Sequence, residues 1–264
     1  AVAAVNDAPV ADDDAFTTSE DTTSGAIDLV GGDSDVDGDT LSVLSINGTV
    51  LTPGTAQAIA VTNGTVNVSA GGVVTFSPDG DYNGAISFDY VVTDGALSDT
   101  GTVNGTVTAV NDGPVAADDT GAATEDTTLN VTAVAGLLSN DTDTEGDTLA
   151  ITTFTIAGIG GTHTAGDTVA IAGIGSLTIN ADGSYSFVPV ADYNGAVPVA
   201  TYTVSDGNGG TDTADLTIAV AAVNDAPVAD DDAFTTSEDT TSGAIDLVGG
   251  DSDVDGDTLS VLSI

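Results

Sequence analysis

The sequence predicts an all-β fold of tandem antiparallel sandwiches, and three observations support this prediction. Short segments of alternating apolar residues, rich in Val, Ile and Thr, are separated by turns that contain Gly and Asn. No segment shows a convincing helical period. The motif Asn-Asp-(Ala/Gly)-Pro-Val recurs from residues 6, 111 and 224. That spacing of roughly 110 residues is typical of one sandwich domain.

Strands are predicted along the whole first repeat. They are Ala26–Val30, Thr40–Ile46, Ala58–Thr62, Val66–Ser69, Val73–Phe76, Ile86–Thr93 and Thr102–Val110. In the second repeat Val131–Leu138 comes closest to a helical pattern, and we interpret it as a buried strand because it aligns with Ala26–Val30. Aromatic residues recur at equivalent positions, such as Tyr90 and Tyr202, which indicates that they belong to the core.

The repeats predict two complete domains and part of a third. Residues 1–5 end a preceding repeat or linker, 6–110 and 111–223 form two sandwiches, and 224–264 begin a third. Residues 219–264 repeat residues 1–46 without a change. Because the third repeat lacks later strands, and Met, Lys and Arg are all absent, we expect a window from a longer chain. A continuing or neighbouring chain would then supply the missing strands.

The net charge of −42, without one Lys or Arg, excludes several classes of partner. Nucleic acid is excluded because the chain has no cation to replace phosphate counterions, and anionic membrane surfaces are excluded likewise. No apolar run is long enough to span a bilayer, and the absence of Cys excludes disulfides and thiolate-bound metals. With 41% hydrophobic residues the chain is still expected to fold. The charge that neutralises its carboxylates must come from solution.

The acidic residues are spaced as in a calcium-binding loop. In Asp33-x-Asp35-x-Asp37-Gly38, alternate carboxylates can converge on one hard cation while the glycine permits a sharp turn. An EF-hand is ruled out because Leu44 stands where its last ligand belongs, and the second repeat fails likewise at Thr152. The alternative is an Asp-rich turn that only caps its own backbone. Repulsion among clustered carboxylates without a basic partner favours calcium.

The end of the first repeat and the start of the second resemble cadherins. Residues 88–98, Phe-Asp-Tyr-Val-Val-Thr-Asp-Gly-Ala-Leu-Ser, and the linker at 111–115 resemble the end of a cadherin repeat. Asp141-x-Asp143 with Asp147 resembles the cadherin Asp-x-Asp motif and its downstream Asn. As a whole, the sequence is similar to the cadherin-like and VCBS-type tandem repeats of giant RTX-type bacterial adhesins, which are secreted by the type I route. This resemblance implies Ig-like or cadherin-like sandwiches joined by calcium-binding linkers.

The resemblance also implies calcium ligands at each domain junction. Between the first two domains they are Glu20, Asp81, Asn111, Asp112, Asp141, Asp143, Asp147 and Asp206, with Asp79 as an alternative to Asp81. At the next junction they are Glu125, Asp192, Asn224, Asp225, Asp251, Asp253 and Asp257. In the first domain Asn6, Asp7, Asp33, Asp35, Asp39 and Asp94 would face a preceding domain. One or two ions per junction are expected, because Ala109 stands where cadherins carry an acid and the Asp-Arg-Glu motif is absent.

The expected function is structural rather than enzymatic. We predict calcium-rigidified extender domains of an extracellular adhesin or surface fibre, active in cell adhesion or a biofilm matrix, with neighbouring repeats or identical chains as partners. The alternative is an adhesin module that binds a glycan or protein, for which the loop Gly158–Thr168 is the candidate. His163, the only imidazole, is expected to be an exposed loop residue, because no nucleophile accompanies it.

Overall fold

A computed structural model of the chain describes residues 5–263 and confirms the predicted all-β fold. The chain divides into two compact units, Ala1–Asn111 and Asp112–Ile264. Residues 1–4, assigned above to a preceding repeat, and Ile264, the last residue of the third repeat, lie outside the described residues.

The first unit is a sandwich of a five-stranded and a three-stranded sheet. Its strands are β1 Asp14–Ser19, β2 Ser42–Ile46, β3 Thr49–Val50, β4 Gln57–Val61, β5 Gly64–Val68, β6 Val74–Pro78, β7 Gly84–Thr93 and β8 Ser98–Thr108. The larger sheet has the order β1-β8-β7-β2-β3 and the smaller one β4-β5-β6. Neighbours are antiparallel except β1 and β8, which run parallel.

The core of the first unit lies between these sheets, because alternate residues of each strand point inward. Along β7, Ile86, Phe88, Tyr90 and Val92 are buried, while the residues between them are more exposed. Phe76 on β6 faces them and is fully buried. Tyr90 is therefore a core residue, as its repetition predicted.

The second unit contains a larger sandwich of the same kind. Its strands are β9 Asp119–Thr124, β10 Leu129–Val131, β11 Ala150–Ile156, β12 Ile159–Thr164, β13 Thr168–Ile171, β14 Gly175–Ile179, β15 Tyr185–Pro189, β16 Gly195–Ala196, β17 Ala200–Ser205 and β18 Thr211–Ala221. One sheet has the order β12-β11-β17-β18-β16, with β9 parallel to β18, and the other has the order β10-β15-β14-β13. Between residues 224 and 263 the structure shows no strand, only a bridge from Val228 to Ser252.

Two predicted strands are wrong. Val131–Leu138 is not one strand: β10 ends at Val131 and a 3-10 helix follows at Ala133–Ala135. After this helix, Gly136 passes so close to the Gly183 carbonyl oxygen that a Cβ would lie 2.2 Å from it, so this position requires glycine. Leu137 still fills the core after this turn.

The other wrong prediction is the strand Ala26–Val30. Only Ile27 pairs, in an isolated bridge to Val74, although Ile27 and Leu29 are buried. The Asp28 carboxylate accepts a hydrogen bond from the Val30 N–H at 3.3 Å, so the segment forms a local turn in place of a ladder.

His163 is also placed differently from the prediction. It lies on β12, opposite Phe154 of β11, with the two rings 5.4 Å apart. The residue is half-buried and its Nε2 atom is buried. The segment proposed as a binding loop, residues 158–168, therefore contains a strand that extends the larger sheet of the second unit.

Candidate metal centre

A buried glutamate holds the linker where each sandwich ends. In the second unit Glu125 is 2% exposed and accepts hydrogen bonds from the Val223 N–H and, at 3.2 Å, from Asn194 Nδ2. In the first unit Glu20 is buried likewise and accepts a hydrogen bond from the Val110 N–H. These hydrogen bonds fix the position of each carboxylate beside the outgoing linker.

A pair of aspartates lies at the same end of each sandwich as the glutamate. Asp126 and Asp192 have φ angles of 58° and 59°, in the left-handed region that Asp tolerates better than most residues. The Asp192 N–H donates to Asp126 Oδ1 at 3.2 Å. Asp21 and Asp81 repeat this arrangement in the first unit, with φ angles of 55° and 57°. Both units therefore turn two further carboxylates toward the glutamate end of the sandwich.

The acidic loop after each linker caps its own backbone with one carboxylate oxygen. Asp253 Oδ1 accepts hydrogen bonds from the Asp255 N–H at 3.0 Å and from the Asp257 N–H at 3.2 Å. Asp35 and Asp143 make the equivalent pairs of bonds with Oδ1. In both of these the second oxygen, Oδ2, is buried without a hydrogen-bond partner. The backbone-capping alternative thus accounts for one oxygen of each carboxylate and leaves the other unexplained.

The linker carboxylate of Asp225 belongs to two acidic groups in the second unit. In one group its ligand oxygen lies within 4.8 Å of those of Glu125 and Asp255. In the other it lies within 4.8 Å of those of Asp126 and Asp192. The Asp225 N–H also donates to Asp255 Oδ2 at 2.7 Å, while Asp225 Oδ2 is buried without a hydrogen-bond partner. The residues after the second sandwich therefore connect its turns to the loop of the third repeat.

The chemistry of these donors fits calcium. The pKa of Asp225 is raised by burial of its carboxyl and, next, by the negative charges of Asp126 and Asp192. Every donor in the two groups is a carboxylate oxygen, the ligand type that hard cations such as Ca²⁺ prefer. A bound cation would neutralise the repulsion that raises this pKa, and it would use the orphaned oxygen of Asp225.

The first unit carries a similar acidic group around its first linker. Its members, with ligand oxygens within 4.8 Å of one another, are Asp35, Asp39 and Asp94. Asn6 Nδ2 donates to Asp94 Oδ2 at 2.8 Å, and the Asp7 N–H donates to Asp37 Oδ2 at 2.8 Å. The pKa of Asp94 is lowered, first by the Leu97 N–H and then by the Ala96 N–H and Asn6.

The second unit has an acidic group in the equivalent loop after its own linker, although its members differ. The acidic group is Asp143, Glu145 and Asp147. The Asp112 N–H donates to Glu145 Oε2 at 3.1 Å, and Asn208 Nδ2 donates to Asp147 Oδ2 at 2.6 Å. Asp206, equivalent to Asp94, is buried and holds its turn through the N–H groups of residues 208–210. Of the linker residues, Asn111 ends the first unit, and Asn224 Nδ2 donates to the Asp225 carbonyl oxygen at 2.8 Å.

Three further predicted ligands hold the backbone that follows each linker. Asp33, Asp141 and Asp251 each accept, at 2.8 Å, the N–H of a residue that follows the linker, respectively Asp12, Ala117 and Asp230. Asp33 also accepts a hydrogen bond from the Tyr90 hydroxyl at 3.1 Å. The structure does not place these residues in the acidic groups above, and the contacts show that they anchor the start of each repeat.

The sequence reasoning missed Asp126 and Asp255. A signal for Asp126 was present, because Glu-Asp-Thr recurs from residues 20, 125 and 238. The position of Asp255 is also acidic in the other two repeats, where the equivalent residues are Asp37 and Glu145. Asp255 is the third aspartate of an Asp-x-Asp-x-Asp-Gly motif, and Asp126 directly follows a predicted ligand; the folded chain brings both to Asp225.

These features define a multidomain protein of tandem β-sandwich repeats. Each repeat begins with an acidic linker, and an acidic loop comes after that linker. The bacterial cadherin-like domain matches residues 6–109 and 111–222, and the bacterial Ig domain matches residues 224–264. The chain belongs to the bacterial cadherin-like domain family, as the resemblance indicated. Domains of these two families are typical of adhesion or structural modules of extracellular surface proteins. They are typically non-enzymatic, and cadherin-like domains usually bind Ca²⁺.

Solved structures that match part of the chain include animal cadherins. Drosophila N-cadherin EC1-4 has 12% identity, with 82% of this chain and 50% of that chain covered and a TM-score of 0.47. Mouse cadherin-23 EC22-24 has 14% identity, with 83% and 65% covered and a TM-score of 0.44. An endo-fucoidan hydrolase from glycoside hydrolase family 107 has 20% identity, with 81% and 29% covered and a TM-score of 0.30. The chain thus spans between 29% and 65% of these structures.

No curated protein sequence matches the chain significantly. Across residues 5–263, no helix has the length and apolar character required to cross a membrane.

Proposed function

We propose that the chain is a calcium-rigidified extender segment of an extracellular bacterial adhesin of the RTX type or of a surface fibre. Its role is to hold adhesive parts away from the cell in cell adhesion or a biofilm matrix. The observation that carries the proposal is the Asp225 carboxylate, which is shared by two acidic groups and retains a buried oxygen without a hydrogen bond.

A cation at Asp225 would act as a clamp between one repeat and the next. Glu125, Asp126 and Asp192 come from turns of the second sandwich, and Asp255 comes from the loop of the third repeat. Without a cation these charges repel one another, so the residues on either side of Asp225 are pushed apart. With Ca²⁺ bound, the same charges become ligands of one ion.

The clamp makes stiffness depend on calcium concentration. An ion that binds only the assembled ligand set stabilises that set by mass action. Extracellular calcium modules have dissociation constants on the order of 10⁻⁴ to 10⁻³ M, and we expect this range here. In the proposed setting, the extender is rigid where calcium is abundant and bends where it is scarce.

The test replaces Asp225 by Asn, which keeps the shape of the side chain and removes its charge. Calcium binding is measured by calorimetry on the full chain, and its dimensions are measured by small-angle scattering with calcium and with chelator. We expect Asp225→Asn to lose binding equivalents and to resemble the chelated wild type over the second sandwich and third repeat. The matched control is Asp89→Asn, at an exposed position in the middle of β7. Equal binding and equal scattering of Asp225→Asn and wild type would reject the clamp.

A further inference from the structure

A cavity opens between the two sheets of the first sandwich. Its volume is about 310 Å³, near the lower end of the range of roughly 300–1,000 Å³ that small-molecule pockets occupy. The apolar side chains that line it include Val30, Leu41, Val43, Leu51, Val68 and Val74. Among the described residues, no charged side chain lines the cavity, and every lining residue lies between positions 30 and 74. The cavity is therefore an apolar site that one complete sandwich forms by itself.

The loop of residues 52–55 lines the cavity and is held by its own hydrogen bonds. The Thr52 N–H donates to Gln57 Oε1 at 2.6 Å, and Gln57 Nε2 donates to the Val50 carbonyl oxygen at 3.2 Å. The Thr55 N–H donates to the Thr52 carbonyl oxygen at 3.1 Å. Because these bonds satisfy the loop locally, its shape does not depend on a contact across the cavity. The cavity is thus formed before any ligand arrives.

The second sandwich carries larger residues where valines line the cavity of the first. By strand pairing, the equivalent residues are Ile151 for Val43, Ile179 for Val68 and Tyr185 for Val74. Ile151 is 1% exposed, whereas Val43 is half-buried. Ile179 is fully buried as well. The larger side chains of the second sandwich therefore leave less room between its sheets than the valines of the first.

A leucine fills the equivalent of the cavity mouth in the second sandwich. Leu138 stands at the position of Val30 and packs against the core, whereas Val30 is 37% exposed. A Cβ on Gly183 would lie 2.9 Å from Leu138 Cγ. A Cβ on Gly72, which lines the cavity at the equivalent position, would have no other heavy atom within 4 Å. The space that Leu138 fills in the second sandwich is therefore part of the cavity in the first.

We propose that the first sandwich binds a compact, uncharged and mostly apolar small molecule in this cavity, and that the second sandwich does not. Burial of the ligand's apolar surface against the valines and leucines drives binding. An anionic ligand is disfavoured because the chain has a net charge of −42 and no Lys or Arg to pair with it. The Thr52 and Thr55 hydroxyls can meet one hydroxyl or carbonyl group of the ligand. This inference does not depend on calcium binding or on the proposed function.

The test titrates the full chain with cyclohexanol and, as the matched anion, with cyclohexanecarboxylate. Binding is followed by the NMR shifts of the Val, Leu and Ile methyl groups in saturating calcium and low salt. We expect cyclohexanol to give saturable shifts at Val43 and Val68, with a dissociation constant on the order of 1–10 mM, and none at Ile151 or Ile179. Cyclohexanecarboxylate should bind at least about tenfold more weakly. Equal binding of the anion would overturn the class of ligand, and shifts that do not saturate, or that are equal in both sandwiches, would overturn the site.

A filled variant then tests the comparison between the sandwiches. The triple substitution Val30→Leu, Val43→Ile and Val68→Ile transfers three lining residues of the second sandwich to the first, and it should weaken cyclohexanol binding at least about tenfold. The matched control is Val50→Ile, at a position that is 62% exposed and outside the lining, and it should bind as the wild type does.

A second filled variant, Leu51→Trp, keeps the test valid should the triple variant fail to fold. Thermal unfolding without cyclohexanol establishes that each variant is folded. Undiminished binding by a folded filled variant would overturn the assignment of the cavity. Shifts of the same methyl groups that grow with protein concentration alone would also overturn it, because they would identify a second copy of the chain as the occupant.

Discussion

The first and second sandwiches pair their first and last strands in the same way, but different residues fill the core beside these strands. In the first, Phe16 supplies an aromatic ring from β1, opposite Gly105 on β8. In the second, Gly121 stands on β9, and the volume comes from Ile218 on β18 and from Tyr185. The comparison shows that the bulky side chain beside the first and last strands comes from a different strand in each sandwich. Exchanging single residues between these domains should therefore be harmful, although each residue is native to one of them.

The largest effect is expected from exchanging the residue on the last strand. Ile218→Gly removes a buried side chain from the second sandwich and should destabilise it by about 4 kcal/mol. Gly105→Ile should destabilise the first sandwich by about 3 kcal/mol, because the added atoms meet the Phe16 ring. Urea unfolding with fluorescence and hydrogen exchange would assign each loss to its sandwich.

The exchange has an internal control. The triple substitution Phe16→Gly, Val74→Tyr and Gly105→Ile transfers the complete arrangement of the second sandwich to the first. It should recover most of the stability that Gly105→Ile alone loses, since neighbouring substitutions are not additive. A triple variant less stable than Gly105→Ile would contradict the idea of a transferable arrangement.

An intermediate effect is expected from the tyrosine hydroxyls. The Tyr90 hydroxyl donates to the Asp12 carbonyl oxygen at 2.7 Å and to Asp33 Oδ1, whereas the Tyr202 hydroxyl donates to Asp119 Oδ2 at 2.7 Å. Burial and, next, nearby carboxylates raise the pKa of both tyrosines, so the hydroxyls remain protonated donors. Replacement of either tyrosine by Phe should cost about 2 kcal/mol, because it removes a hydrogen bond to a charged acceptor. Chemical denaturation tests this, and a change below about 0.5 kcal/mol in either domain would contradict it.

A smaller and calcium-dependent effect is expected at the aspartates with positive φ. Asp126→Asn retains a residue that tolerates the left-handed backbone, so it isolates the charge. It should lower the melting temperature of the second unit by a few degrees in calcium and leave it unchanged in chelator. Asp21→Asn, the equivalent change, should leave the calcium dependence of the third repeat intact. Thermal unfolding of both variants provides the measurement, and an equal loss in chelator would point to a purely structural role.

The smallest effect is expected from acid. The pKa of Asp99 is lowered by the Ala11 N–H and then by the Thr100 N–H, and that of Asp212 is lowered by the Ala116 and Thr213 N–H groups. A lowered folded-state pKa contributes stability above the unfolded value of about 4, and this stability is lost as the pH falls through the folded-state pKa. Both sandwiches should therefore weaken as the pH falls below about 4, and Asp99→Asn or Asp212→Asn should flatten that dependence in one sandwich. A steeper dependence in either variant would contradict this assignment.

The sequence predicted the fold class because alternation survives in strands that are buried on one face. It did not predict β1, since this edge strand of Asp, Ser, Thr and Ala has no apolar alternation beyond Phe16. It misread residues 131–138, where a 3-10 helix at Ala133–Ala135 ends the strand without interrupting the apolar run. Periodicity reports which side chains are buried, and it cannot distinguish a buried strand from a buried turn.

The candidate site was predicted by residue type better than by position. The repeated acidic motifs identified Asp225 and, beside it, Glu125 and Asp192, but neither Asp126 nor Asp255. They also predicted Asp33 as a ligand, and this carboxylate accepts hydrogen bonds from the Asp12 N–H and the Tyr90 hydroxyl. Asp126 was overlooked because its contribution depends on a left-handed turn, which the recurring Glu-Asp-Thr motif does not by itself specify.

The parallel pairing of the first and last strands has a mechanical consequence. β1 lies beside β8 and points in the same direction, and β9 and β18 repeat this arrangement. A pull on the two ends of one sandwich therefore loads the whole row of hydrogen bonds between these strands in shear. An antiparallel pair of terminal strands would instead open one bond at a time, like a zipper. Since forced unfolding follows the height of the unfolding barrier, each sandwich is built to keep its length under tension.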